Sequence, residues 1–190
     1  MKKVLVTVFS MLAVILVASL AVPTVQAQDV PKPMSFMLGA GVSLPMGDFG
    51  DGFKMGFHGT GRVDINLAAK LDLLLGADYH VFSIDDQGAS NVDGGSASIL
   101  NLAGDLKFNL GSPAMSSNPY LMGGTGLAIE NRSDLTIGAT TFTFDSETDV
   151  FIEVGGGVEF NKFFIQAKFV DIFTEGSSTT YVPLTVGLKF

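Results

Sequence analysis

His58 and His80 are the only two histidines of the chain, and each stands in a segment built from two alternating kinds of residue. Phe57, Gly59, Gly61, Val63, Ile65 and Leu67 interleave with His58, Thr60, Arg62, Asp64 and Asn66. Leu71, Leu73, Leu75, Ala77, Tyr79 and Val81 interleave with Asp72, Leu74, Gly76, Asp78, His80 and Phe82. Period-two alternation is the pattern of a strand with two unlike faces. With a turn centred on Ala69, Leu67 faces Leu71, and the same register sets His58 opposite His80, with Asp78 and Arg62 one step further along that face. Two imidazoles and a carboxylate can hold a metal ion or act as a general base. The same residues also suit a buried polar network whose members satisfy one another. No G-x-S-x-G elbow accompanies them, and Ser43 and Ser83 are merely the nearby hydroxyls. We expect the network role, with no catalytic residue, cofactor or metal; His58, His80, Asp78 and Arg62 stand as the candidates for anything more.

The elements that must position these residues extend the same pattern. Further alternating segments are expected over residues 36–44, 100–110, 149–160, 163–170 and 181–190, and residues 120–130 read as a strand whose two rows are both apolar or glycine, so its facing stays open. That makes eight strands. Their connections alternate in length: residues 45–54, 83–95, 131–146 and 174–180 are long, residues 68–70 and the turn at Asn161 are short, and residues 111–118 are intermediate. An even number of strands with alternating long and short connections predicts an all-β fold, an eight-stranded antiparallel up-and-down transmembrane β-barrel, with long loops outside the cell and both termini on the periplasmic side. Phe36, Phe108, Tyr120, Phe160, Phe163 and Phe190 fall at the short-turn ends, where an aromatic girdle is expected.

Which row faces outward follows from bulk and charge. The apolar row is bulky and uncharged, whereas the other is rich in Gly, Ser and Asn and carries Arg62, Lys107, Lys168 and Lys189 with Asp64, Asp72, Asp78, Asp105, Asp149, Glu153 and Glu159. An eight-stranded lumen is just wide enough for side chains to fill it, which places the small, charged row inside and argues against an open channel. The opposite arrangement, a soluble lipocalin-like barrel, would bury the bulky row. The His58/His80 pair then lies in the lumen near the outer rim. Asp48, Asp51, Asp85, Asp86, Asp93, Asp134, Asp145, Glu147 and Glu175 fall in the long loops. "DDQGASNVDGG" lacks the ligand spacing and closing Glu of a calcium loop, so these acids read as a solvated surface. "MGDFGDGF" reads as turn-forming, and Gly155-Gly156-Gly157 as relief of crowding rather than a phosphate cradle.

Residues 1–27 have the features of a secretory signal peptide: Lys2 and Lys3, an uncharged apolar run to about Val22, Pro23, then Val25-Gln26-Ala27 as a cleavage tripeptide. A short segment, residues 28–34, precedes the barrel domain expected over 35–190. Loss of two of the eleven basic residues with the signal takes the formal charge from −8 to −10. A chain this acidic is ill suited to nucleic acid. The absence of cysteine excludes disulfides, lipid acylation at a cysteine, thiol catalysis and cysteine-ligated metal.

"VSLPMGDFGDGF" (Val42 to Phe53), "NPYLMGGTGL" (Asn118 to Leu127) and "YVPLTVGLKF" (Tyr181 to Phe190) give the chain a likeness to a known group. From about Met34 to Phe190 it resembles the outer-membrane β-barrel domain family, small eight-stranded OmpA/OmpX-like barrels of Gram-negative bacteria. That resemblance implies integral residence in the bacterial outer membrane among its lipids and lipopolysaccharide. It also implies delivery by periplasmic chaperones and insertion by the barrel-assembly machinery, which reads the final strand, here Phe190, Leu188 and Val186. It implies no single activity. The peptidoglycan-binding domain of full OmpA-like proteins is not expected here. The expected function is non-enzymatic: envelope integrity or surface interaction through the loops. The alternatives are binding or transport of a small hydrophobic ligand at the loop end, and lipid modification by the His58/His80 rim.

Overall fold

The structure, a computed structural model, describes residues 34–84, 92–93, 95–111, 117–133, 135–137, 140–142, 146–174 and 177–190. The expected signal segment, residues 28–33, and the loop acids Asp85, Asp86, Asp134, Asp145 and Glu175 lie outside the described residues. Eight long strands follow one another: β1 (Met34–Met46), β2 (Gly56–Ala68), β3 (Leu71–Ser83), β4 (Ser96–Asn109), β5 (Asn118–Arg132), β6 (Glu147–Phe160), β7 (Phe163–Thr174) and β8 (Ser177–Lys189). Each pairs antiparallel with the next, and β8 returns to β1 to close the barrel. The closing register runs from Met37 opposite Lys189 to Met46 opposite Thr180. Phe190 completes it, its backbone N–H donating to the Phe36 carbonyl at 2.8 Å while the Phe36 N–H donates to the Phe190 carbonyl at 3.2 Å. A closed sheet has no edge to protect.

The outer wall is apolar. Phe57 is 67% exposed, Phe163 63% and Val186 60%, whereas Asp105 in the lumen is 1% exposed. This inverts a water-soluble core, and such a wall is matched to hydrocarbon. Strands of 12 to 15 residues are long enough for the roughly 9–11 needed to cross a bilayer. Phe36, Phe108, Phe160, Phe163 and Phe190 are all exposed around the short-turn end, as expected of a girdle.

Tyr120 is the exception. It is 1% exposed inside the lumen, where its hydroxyl donates to Gln166 Oε1 at 3.0 Å. Closure thereby settles the facing of β5: Tyr120, Met122, Ala128 and Glu130 point in, and Leu121 and Leu127 point out. The alternation was hidden because the middle of the inward row is Gly124 and Gly126. A Cβ at Gly124 would fall 2.3 Å from Asp105 Oδ1 and 2.2 Å from the Gly104 carbonyl, so the crowded charge of β4 requires glycine there.

Three local expectations are corrected. The connection expected over residues 174–180 is strand almost throughout, with Thr174 paired to Ser177 across a tight hairpin. Serine and threonine there continue the alternation of Ile172 and Tyr181, which point inward. Leu67 does not face Leu71, because a bulge follows Asn66 and Ala68 takes that place. Residues 45–54 are more than a turn. They contain α1 (Gly47–Gly52), whose Phe49 is its only buried residue. Gly47 leaves β1 at φ +58°, in the left-handed region that glycine enters without strain. Beyond the barrel, Val92–Asp93, Leu135–Ile137 and Thr140–Phe142 pair as a small separate sheet.

Candidate functional site

The functional candidates all lie in the lumen, which is filled in layers. At the short-turn end Lys107 and Lys189 meet Asp64, Asp72 and Glu159, with Lys107 Nζ 2.5 Å from Asp64, 3.0 Å from Asp72 and 2.8 Å from Glu159. Lys189 Nζ adds contacts of 2.7 Å to Asp64 and 3.0 Å to Glu159. Lys107 also sits 5.4 Å from the centre of the Tyr120 ring, within cation–π range. Met37, Leu74, Met122 and Phe164 pack beside this layer.

Midway up, Arg62 and Lys168 are ringed by Asp78, Asp105 and Glu153. Arg62 donates to Asp105, to Asp78 at 2.5 Å and to Glu153 at 2.9 Å, while Lys168 donates to Asp78 at 2.6 Å and to Glu153 at 2.9 Å. These groups are desolvated, and the network of opposite charges is what makes their burial tolerable. Room for it comes from glycine: a Cβ at Gly155 would lie 2.3 Å from the Ala167 carbonyl and 2.8 Å from Lys168 Cα. Relief of crowding is therefore what the Gly155–Gly157 run supplies.

Above the charges lies the imidazole layer. His58 and His80 are direct cross-strand partners, as their spacing predicts, with ring centres 5.0 Å apart. Between them stands Ser43 of β1, its Oγ 3.0 Å from His58 Nδ1 and 2.8 Å from His80 Nδ1. His58 Nε2 reaches Thr185 Oγ1 at 2.9 Å. One hydroxyl can donate to only one of the two Nδ1 atoms, so the other imidazole must carry its proton there and donate to Ser43. Among the described residues, His80 Nε2 has no hydrogen-bond partner. Asp78 and Arg62 do lie one step deeper, but they bind each other and the Lys168 and Glu153 groups rather than the imidazoles. The structure thus brings together His58, His80 and Ser43, and separates Asp78 and Arg62 into the charge layer. Ser83, on the outward row of β3, takes no part; its carbonyl accepts from the Lys54 N–H.

The top layer is aromatic. Phe49 of α1 packs on Phe53, Phe82 and Tyr181, with ring centres 4.7, 5.0 and 6.4 Å away. Ile99, Phe151, Val170 and Ile172 complete an apolar cluster within the barrel mouth. Tyr181 hands its polar tip downward, its hydroxyl accepting from Asn101 Nδ2 at 2.6 Å. Ser43 was legible in the sequence only as a nearby hydroxyl, because a long connection separates β1 from β2; Thr185 joins the site only when β8 closes on β1, and Phe49 lies within that long connection. The inward row Gly39, Gly41, Ser43 was the one usable signal.

No three His, Asp or Glu side chains converge as a metal donor set among the described residues. The chemistry available is that of a hydroxyl shared by two imidazoles, sealed from above by rings and from below by ion pairs.

Comparison by sequence finds neither a matching family model nor a matching curated protein. Comparison of structures finds several small barrels. Neisserial surface protein A is 12% identical over 83% of this chain and 96% of its own, with a TM-score of 0.58. Ail, the attachment invasion locus protein of Yersinia pestis, is 14% identical over 83% and 97%, with a TM-score of 0.51. The outer membrane enzyme PagL is 13% identical over 82% and 98%, also with a TM-score of 0.51. Identities this low establish fold and nothing finer. One of the three is an enzyme, so the fold is compatible with catalysis and does not require it. The fold of this chain, a closed eight-stranded antiparallel barrel, is thus similar to that of these small outer-membrane barrels.

Proposed function

We propose that this chain is a non-enzymatic integral protein of the bacterial outer membrane, exported by residues 1–27, whose lumen is a structural core and whose role is exercised by the long connections outside the cell. The observation that carries this reading is the filled interior. Two ion-pair networks and an aromatic cap occupy its length, leaving surface presentation as the work of the protein. Outer-membrane lipids and lipopolysaccharide surround the apolar wall, and the barrel-assembly machinery takes the β8 segment ending Val186, Leu188 and Phe190 as its signal. Ail and NspA, both named for attachment or the surface, have the same fold, which agrees with a surface-interaction role.

Catalysis is the second reading, favoured by the 2.8 Å bond between Ser43 Oγ and His80 Nδ1. Against it, Ser43 and His80 are fully buried, and no carboxylate among the described residues hydrogen-bonds either ring. Two measurements test the proposal. Washed outer membranes should yield a compact band that slows on boiling, and protease added to whole cells should clip the long connections while sparing the strands. Protein recovered from the soluble periplasm without a band shift overturns the membrane assignment. A change in lipid mass profile between cells making the native protein and cells making the folded Ser43→Ala variant overturns the non-enzymatic one.

A further inference from the structure

We infer that the barrel mouth is a binding site for a small neutral aromatic alcohol, with Phe49 as its built-in stopper. The inference deepens the small-hydrophobic-ligand alternative and requires the loop end to face the outside. Four observations carry it. First, the ring in the site comes from a connection and not from the wall: Phe49 is the only buried residue of α1, which has no side-chain N-cap hydrogen bond. Gly47, Gly50 and Gly52 carry no side chain, so Phe49 is the anchor this segment sends into the barrel. Second, the seat fits one six-membered ring. Phe49 lies edge-on to Phe82 at an interplanar angle of 80° and packs against Tyr181, so a free phenyl group can make the same contacts.

Third, the floor of the seat has an unmet hydrogen-bonding group. His80 stacks on Phe82 at 6.2 Å and meets Tyr181 edge-on at 4.9 Å, the same two rings that hold Phe49, and its Nε2 has no partner among the described residues. His80 itself is fully buried. Phenylalanine brings nothing to that nitrogen; a ring bearing a hydroxyl does. Fourth, Ser43 can donate to either imidazole, so His80 Nε2 is an acceptor in one tautomer and a donor in the other. A hydroxyl answers both cases, whereas an ammonium group or a carbonyl answers one. Charge is excluded by the apolar walls, and the exposed Asp48 and Asp51 of α1 further disfavour an anion.

The test uses phenol and toluene as probes, on the full barrel in lipid nanodiscs with labelled isoleucine methyl groups. Ile99 and Ile172 line the seat, whereas Ile152 and Ile165 face lipid and report partitioning of the probe into the bilayer. Phenol should shift Ile99 and Ile172 saturably, and toluene should bind about threefold to tenfold more weakly, as the loss of one hydrogen bond implies. Phe49→Ala and the milder Phe49→Leu should each bind phenol more tightly than the native chain, the former by about tenfold or more. His80→Phe should erase the preference for phenol over toluene. Shifts confined to Ile152 and Ile165, equal binding of the two probes, or binding to Phe49→Ala but not to the native chain would each overturn the inference. The boiled-gel shift of each variant separates loss of binding from loss of folding and leaves the membrane assignment independently decided.

Discussion

Arg62 shows how much rests on a single side chain. It is 4% exposed and contacts three carboxylates, so its removal leaves Asp78, Asp105 and Glu153 with Lys168 alone. Leaving buried charge uncompensated costs about 3–5 kcal/mol. Arg62→Ala should therefore lower the urea midpoint of the lipid-reconstituted barrel by an amount of that order. Arg132 provides the comparison. Its pair with Glu130 is 3.6 Å long and its side chain is 45% exposed, so Arg132→Ala should cost less than about 1 kcal/mol. Equal losses from the two variants would show that the lumen network does not bear on stability. His58 and His80 belong to this scale as well. Their opposition was legible from spacing because a short turn joins β2 to β3, and counting outward from it gives the register. Ser43 was not, because the connection from β1 to β2 is long and the contact depends on α1 returning the chain to the same height.

Strands carry two constraints at once, one from each face. On the outer face of β8, Val186 is 60% exposed. An arginine on the lipid face near the bilayer midplane costs about 2–4 kcal/mol, so Val186→Arg should reduce folding in thick-bilayer vesicles and be better tolerated in thin ones. Indifference to bilayer thickness would mean that this face does not contact lipid. On the inner face, Gly157 lies against β7 and Tyr120: a Cβ there would stand 2.4 Å from the Ile165 carbonyl and 2.5 Å from the Tyr120 hydroxyl. Gly157→Val should prevent the compact band from forming. Gly123→Ala, whose nearest contact would be the Glu153 carbonyl at 3.5 Å, should leave it intact. Matching behaviour in the two variants would remove crowding as the reason for glycine in β6. A tyrosine at a strand end suits a lipid interface or a lumen equally well by type, and only the row it shares with Met122 and Ala128 decides between them.

At the scale of the whole molecule, closure and filling are the properties to test. Phe190 contributes both backbone hydrogen bonds of the last pair with Phe36. Deleting it should slow formation of the compact band in a folding time course by severalfold without abolishing it, since the register from Met37–Lys189 upward remains. An unchanged rate would show that ring closure is complete without that pair. Filling has its own readout: vesicles holding the native barrel should not swell in isotonic monosaccharide, because ion pairs and rings occupy the lumen from one end to the other. Swelling at the rate of a true porin would contradict the packing described above.

The sequence by itself determined the strands, their number, their inside-out polarity and the pairing of His58 with His80. Each of these is a local property: alternation repeats every two residues, and a short turn transmits register directly to the next strand. Tertiary structure alone decided the facing of β5, the lumen position of Tyr120, the Ser43 bridge between the imidazoles and the seating of Phe49. Those depend on contacts made across a long connection or between strands far apart in the chain, brought to one height only in the folded barrel. Glycine in the inward row of β5 erased the alternating signal at the place where the lumen is most crowded. Phe49, in a run of Gly and Asp that reads as a turn, has no neighbours in sequence to reveal that an apolar mouth waits beneath it. Period and polarity are written along the chain, whereas the filling of an enclosed space is set by which side chains meet across it.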